Sequence, residues 1–108
     1  MILINFETNK NKEFIKFNIK GHADNDNNDF NNKLICAGCS AIVFGIINSL
    51  NQLDKNNHKI LIKDNLIIIK ILKITEENQI LLKGLYYSLV TIRNQDKNNI
   101  KMQTERQI

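Results

Sequence analysis

The sequence predicts an α+β domain: a two-layer sandwich of order β-β-α-β-β-α-β, with a mixed or antiparallel sheet and both helices on one face. Three observations lead there. Short segments with period-two apolar alternation occur at the start, middle and end of the chain. Two longer segments carry apolar residues at helical spacing. Clusters of Asn, Asp and Lys separate them all. A chain of 108 residues with 43% hydrophobic residues suits one domain, 1–108, with a single core.

In chain order, Ile2, Ile4 and Phe6 mark one face of a first strand, and Thr8–Lys12 is a turn cluster. Ile15, Phe17 and Ile19 mark a second strand with Lys16, Asn18 and Lys20 opposite, so the pair reads as an antiparallel hairpin. Residues 21–33 hold Gly21, five Asn, three Asp and a single apolar ring, Phe30, and predict a mobile loop. From Leu34 to Leu53 two neighbouring stripes, Val43/Ile47/Leu50 and Ile42/Ile46/Leu53, predict a mostly buried helix. Residues 54–58 form another turn. Ile60 and Ile62 begin a third strand, Asp64-Asn65 is a two-residue hairpin turn, and Leu66–Ile74 is a fourth strand, apolar on both faces. Thr75 caps a second helix whose first turn holds Glu76 and Glu77 and whose apolar face is Leu82, Leu85, Tyr86 and Leu89. Ile100 and Met102 give a short last strand, and 103–108 read as a frayed tail. An apolar outer sheet face needs a cover, and a second copy is the simplest one, so a homodimer is expected.

Composition narrows the function classes. The bias to Ile, Asn and Lys resembles the product of an AT-rich genome, so many polar positions carry no message of their own. The net charge of +4 and pI of about 9.1 come from scattered lysines with no Arg/Lys cluster interleaved with aromatics, so no dedicated nucleic-acid surface is indicated, although weak attraction to an RNA-rich particle is allowed. No secretory leader or membrane span is read, and two cysteines three apart do not make a secreted disulfide framework, so a cytoplasmic protein is expected.

The chemistry gathers around Gly21-His22-Ala23 and Cys36. Cys36 falls at the expected loop-to-helix junction, where unpaired N–H groups and the helix dipole favour a thiolate; a small buried hydrophobe is the bland alternative. His22, between two small residues, can serve as a general base, against the commoner fate of a solvated loop imidazole. Cys36 and Cys39 also spell C-x-x-C, but a thioredoxin-type centre uses a cis-proline and this chain has no proline. A zinc set of His22, Cys36, Cys39 and His58 has no finger spacing, and the Asp24/Asp26/Asn28 start of a calcium loop has Asp29 where glycine is needed. No metal and no cofactor are expected. Cys39 reads as a packing residue, His58 as solvated in a polar turn, and Ser40 as a helix-start hydrogen bonder or a hydroxyl supporting the site.

Gly21-His22-Ala23, a loop, then Ile35-Cys36-Ala37-Gly38, Ser40 and Ala41 resemble the paired motifs of the ribosomal-processing cysteine protease (Prp) family, and the similarity runs over nearly the whole chain. The resemblance implies an α+β homodimer with a flexible loop over its site. It also implies a Cys36 nucleophile with His22 as general base, and oxyanion or substrate support from Gly21, Ala37, Gly38 and Ser40. The implied partner is a ribosomal protein precursor: the family removes an N-terminal extension from ribosomal protein twenty-seven of the large subunit. No direct nucleic-acid contact and no membrane are required. The family's usual aspartate is replaced by Lys33. The alternative function is therefore a ribosome-associated binding module that no longer cleaves, and a redox or metal protein stands further off.

Overall fold

A computed structural model describes residues 1–21 and 30–107. The elements are β1 (Ile2–Thr8), β2 (Phe14–Gly21), α1 (Phe30–Leu53), β3 (His58–Lys63), β4 (Leu66–Ile71), α2 (Glu76–Gln95) and β5 (Ile100–Gln107), in the predicted order. They build one five-stranded sheet of order β3-β4-β2-β1-β5. The β1–β2, β2–β4 and β3–β4 pairs are antiparallel and β1–β5 is parallel, so the sheet is mixed.

The core lies between the sheet and the two helices. Ile2, Ile4, Phe17, Ile19, Ile69, Ile71 and Ile100 point from the strands at Cys39, Val43, Ile47 and Leu50 of α1 and Leu82, Leu85 and Leu89 of α2. Strand alternation and the i, i+3/i+4 helical stripe both put their apolar sets on this side. The segment Lys33–Leu53 has the length and mean hydropathy, 1.8, to cross a bilayer, but here its stripe packs into the core. At the hairpin end, Phe6, Phe14, Phe17 and Tyr86 form an aromatic cluster with ring centroids 5.1–5.9 Å apart. The opposite end of the hairpin, at Ile2 and Gly21, leads to the site.

Several expectations are corrected. α1 begins at Phe30, so residues 30–33 belong to the helix and not to a loop, and Gly21 belongs to β2; the remainder of the expected loop, 22–29, lies outside the described residues. β3 already starts at His58, whose Nε2 lies 2.7 Å from Asn51 Oδ1, so this histidine is half-buried in a strand and not solvated in a turn. β4 stops at Ile71, and Leu72 is 57% exposed. Residues 103–107 continue β5 along Asn5–Thr8, with a register shift between Phe6 and Glu7, where a frayed tail was expected, because β1 offers an open edge whose backbone groups need partners whatever the side chains. The outer sheet face mixes apolar and polar residues, with β4 apolar there as expected. Cross-strand register sets Lys63, Leu66, Lys20, Leu3 and Lys101 in one row and Leu61, Ile68, Asn18, Asn5 and Gln103 in the next.

Candidate active site

The site takes shape where β2 ends. Gly21 has a φ of +91°, and a Cβ added to it would run into the carbonyl oxygen of Met1, so both backbone conformation and space require glycine. Its N–H donates to Asn65 O at 2.9 Å, tying the strand end to the β3–β4 turn. That turn is the predicted two-residue hairpin, with Asn65 at a φ of +61°.

Between this strand end, the turn and α1 lies a cavity of about 210 Å³. Gly21, Cys36, Ser40 and Phe44 line it together with Ile2, Ile19, Val43, Ile62 and Ile67, and Lys63, Asn65 and Leu66 complete the rim. Cys36, Ser40 and Val43 fall on one helical face through their i, i+4, i+7 spacing. The polar, reactive groups thus sit in a mainly apolar cleft, the usual composition of a ligand site.

Of the residues singled out in the sequence, the cleft brings together Gly21, Cys36 and Ser40. Ala37 and Gly38 do not line it: Ala37 is exposed, and a Cβ on Gly38 would meet Ile92 Cδ1 at 3.4 Å, which makes Gly38 a close-packing point against α2. His22 lies outside the described residues; Gly21, which precedes it in the sequence, lines the cleft. The earlier helix start also moves the terminal N–H groups, which belong to residues 30–33, a turn away from Cys36, the seventh residue of α1. Phe44 and the Lys63–Leu66 rim escape a sequence reading. The hairpin turn itself is recognisable, but only the β2–β4 pairing places its tip beside Gly21.

Cys39 lines the inner wall and is buried; burial, with neighbouring Cys36 adding to it, pushes its thiol from 9.0 up to about 11. It stays protonated at neutral pH, as a packing residue would. Neither cysteine is in a disulfide. Among the described residues, no group of three or more His, Cys, Asp or Glu side chains could hold a metal ion.

The sequence pattern of the family described as cysteine protease Prp matches residues 1–101. The chain belongs to the Prp family. Prp members are cysteine proteases that act in ribosomal processing, and the Cys36 thiol lines the cleft of this chain. Ribosomal processing cysteine protease Prp of Staphylococcus aureus strain Mu50 is 28% identical over 105 residues, covering 94% of this chain and 97% of the relative. A crystal structure of the essential S. aureus protease Prp with a covalently linked product peptide superposes with a TM-score of 0.87 at 26% identity, covering 97% of this chain and all of that one. A Streptococcus mutans protein of 18% identity shares the fold with a TM-score of 0.85, over 99% of this chain and 96% of its own.

Proposed function

We propose that this Prp-family protease removes the N-terminal extension of a ribosomal protein precursor, ribosomal protein twenty-seven of the large subunit, with Cys36 as nucleophile and His22 as general base. The observation that carries the reading is the cleft in which Cys36 and Ser40 meet the end of β2, directly before His22. The S. aureus relative has been crystallised with substrate and product peptides, one of them covalently linked, which is what a thiol nucleophile leaves behind.

In this reading His22 takes the Cys36 proton, and the sulfur attacks the scissile carbonyl carbon to form a C–S bond and an oxyanion. Collapse breaks the C–N bond, and the imidazolium gives its proton to the leaving amine. Water, deprotonated by His22, then adds to the thioester; the C–S bond breaks and the thiolate returns. The helix holds the N–H groups of 36–38 in its interior, so the Ser40 hydroxyl is the donor we assign to the oxyanion. The apolar lining from Ile2, Ile19, Val43 and Phe44 suits an apolar side chain of an extended peptide.

The test incubates wild type and Cys36→Ala with peptides spanning the extension and reads products by mass spectrometry. Cleavage at one bond by wild type alone, lost again in His22→Ala, is the expected result. Retained binding without cleavage by wild type would replace this reading with the non-catalytic binding module. Homodimerisation belongs to the same proposal and is supported by exposed apolar residues on α1, where Leu34 is 53% and Leu53 65% exposed; a monomer in sedimentation equilibrium at micromolar concentration would remove it.

A further inference from the structure

We propose that the outer edge of β3 takes the substrate peptide as a further strand of the sheet and leads it to Cys36. β3 is the terminal strand, and among the described residues it pairs with β4 alone, in unbroken register from His58↔Ile71 to Lys63↔Leu66. Lys63 and Leu66 flank a two-residue turn, so they form a hydrogen-bonded pair. Alternation then turns the N–H and C=O groups of Lys63, Leu61 and Lys59 to β4 and those of Ile62 and Ile60 outward. No proline blunts this edge. Its outward amide donors and acceptors, at strand spacing, are the complement of one more extended polypeptide backbone.

The place of this edge selects the substrate as its occupant. Ile62 and Lys63 line the same cleft as Cys36 and Ser40. At the other end of β3, His58 Nε2 lies 2.7 Å from Asn51 Oδ1 of α1. Ser40 to Asn51 is about 17 Å of helix rise and His58 to Lys63 about 17 Å of strand, so α1 and β3 run side by side, in opposite directions, over that length. A segment of about five residues paired with β3 spans it and ends beside the thiol. The side chains that it turns toward the helices meet Ile62 and Phe44, which line the cleft yet remain 54% and 44% exposed. The other terminal strand, β5, lies at the far side of the sheet and has no such continuity with the site. A second copy of β3 could offer the same backbone groups, and the test separates the two. This mode of binding rests on the peptidase reading and adds to it how the substrate main chain is held.

The experiment takes a peptide spanning the precursor's cleavage site and N-methylates each non-scissile amide in turn, over about five residues on either side of the cut. KM and kcat are read for wild type, and Kd by fluorescence anisotropy for Cys36→Ala. On one side of the cut, methylation at every second residue is expected to raise KM and Kd about tenfold with kcat little changed, while the residues between, whose N–H groups point away from β3, stay within about twofold. Ile62→Pro removes an outward N–H and leaves the β4 ladder intact, and is expected to raise KM for the unmodified peptide about tenfold; Ile62→Ala, which keeps the N–H, is expected to raise it less. Circular dichroism checks the fold of both variants. Cleavage of the unmodified peptide with no period-two pattern on either side overturns the added strand and leaves the peptidase reading standing. Absence of cleavage removes the peptidase reading, and the Kd series of Cys36→Ala still decides the strand. An Ile62→Pro chain that loses a dimer while its KM is unchanged gives the edge to a second copy and likewise overturns the proposal.

Discussion

Gly21 and the two cysteines show how single residues divide the labour at this site. Gly21 cannot carry a side chain, because its φ is positive and the Met1 carbonyl occupies the place of a Cβ. Gly21→Ala is expected to lose about 1–2 kcal/mol in urea unfolding and to lower peptide cleavage as well, since the strand end that it distorts lines the cleft. Cys39→Ala is expected to retain cleavage within a few-fold and to lose about 1 kcal/mol from the small core volume removed. Its folded-state thiol titrates near 11 against 9.0 in the open chain, so the folded state holds its proton longer. Wild-type stability is therefore expected to fall from about pH 9 to about pH 11, and a thermal melt series should show that decline reduced in Cys39→Ala. A dithiol redox centre would instead fail outright in Cys39→Ala. The C-x-x-C spacing itself could not separate these cases. Burial decides between them, and burial comes from the Cys39–Val43–Ile47–Leu50 stripe.

At the scale of elements, a buried polar clamp joins the end of α1 to the start of α2. Asp54 Oδ1 accepts from Thr75 Oγ1 at 2.8 Å and Asn57 Nδ2 at 3.0 Å, while Oδ2 accepts from Asn78 Nδ2 at 2.9 Å. Gln79 extends the clamp to the sheet, exchanging two 2.8 Å hydrogen bonds with the backbone of Phe14. Burial pushes the Asp54 carboxyl up, but the bonds from Thr75, Asn57 and Asn78, with His58 nearby, outweigh it and hold its pKa below 3.8. Its contribution is thus present above that value and lost as pH falls through the lower, folded-state pKa. Asp54→Asn, which replaces one accepting oxygen with an NH2 donor among three donors, is expected to cost about 2–4 kcal/mol in urea unfolding and to reduce acid sensitivity below pH 3.8. The strands and helices themselves were legible in the sequence because Ile2/Ile4/Phe6 and Val43/Ile47/Leu50 repeat at the periods of a strand and a helix. The Thr75 cap was legible too, and it is a full capping box with Asn78. The start of α1 at Phe30 was not, since Asn31 and Asn32 have the composition of a loop. Nor was the burial of Asp54, Asn78 and Gln79, because polar residues disclose their partners only once the elements are assembled.

For the whole molecule, the sheet order was the quantity that no periodicity could supply. Parallel pairing of β5 with β1 closes one edge of the sheet through residues 100–107, although Gln103–Gln107 contain no apolar residue to announce a strand. Removing residues 103–108 is expected to lower the thermal midpoint by about 5 °C or more, because the pairing along Asn5–Thr8 is lost; each kcal/mol is worth about 4–8 °C in a domain of this size. A frayed tail would leave the midpoint unchanged. The same order sets β4 beside β2, which brings the Asp64-Asn65 turn to Gly21 and encloses the Cys36 cleft. The motif residues on either side of residues 22–29 could be read from the sequence, but the wall that makes them a site could not. The proposed mechanism requires that Cys36, and not Cys39, is the reacting sulfur of this cleft. The most direct measurement treats the protein with a peptide chloromethyl ketone built on the precursor's cleavage sequence and locates the adduct by mass spectrometry. One adduct per chain, on Cys36, with cleavage lost in proportion to labelling, is the expected result. An adduct on Cys39, or full cleavage by a chain wholly labelled at Cys36, would rule out Cys36 as the nucleophile.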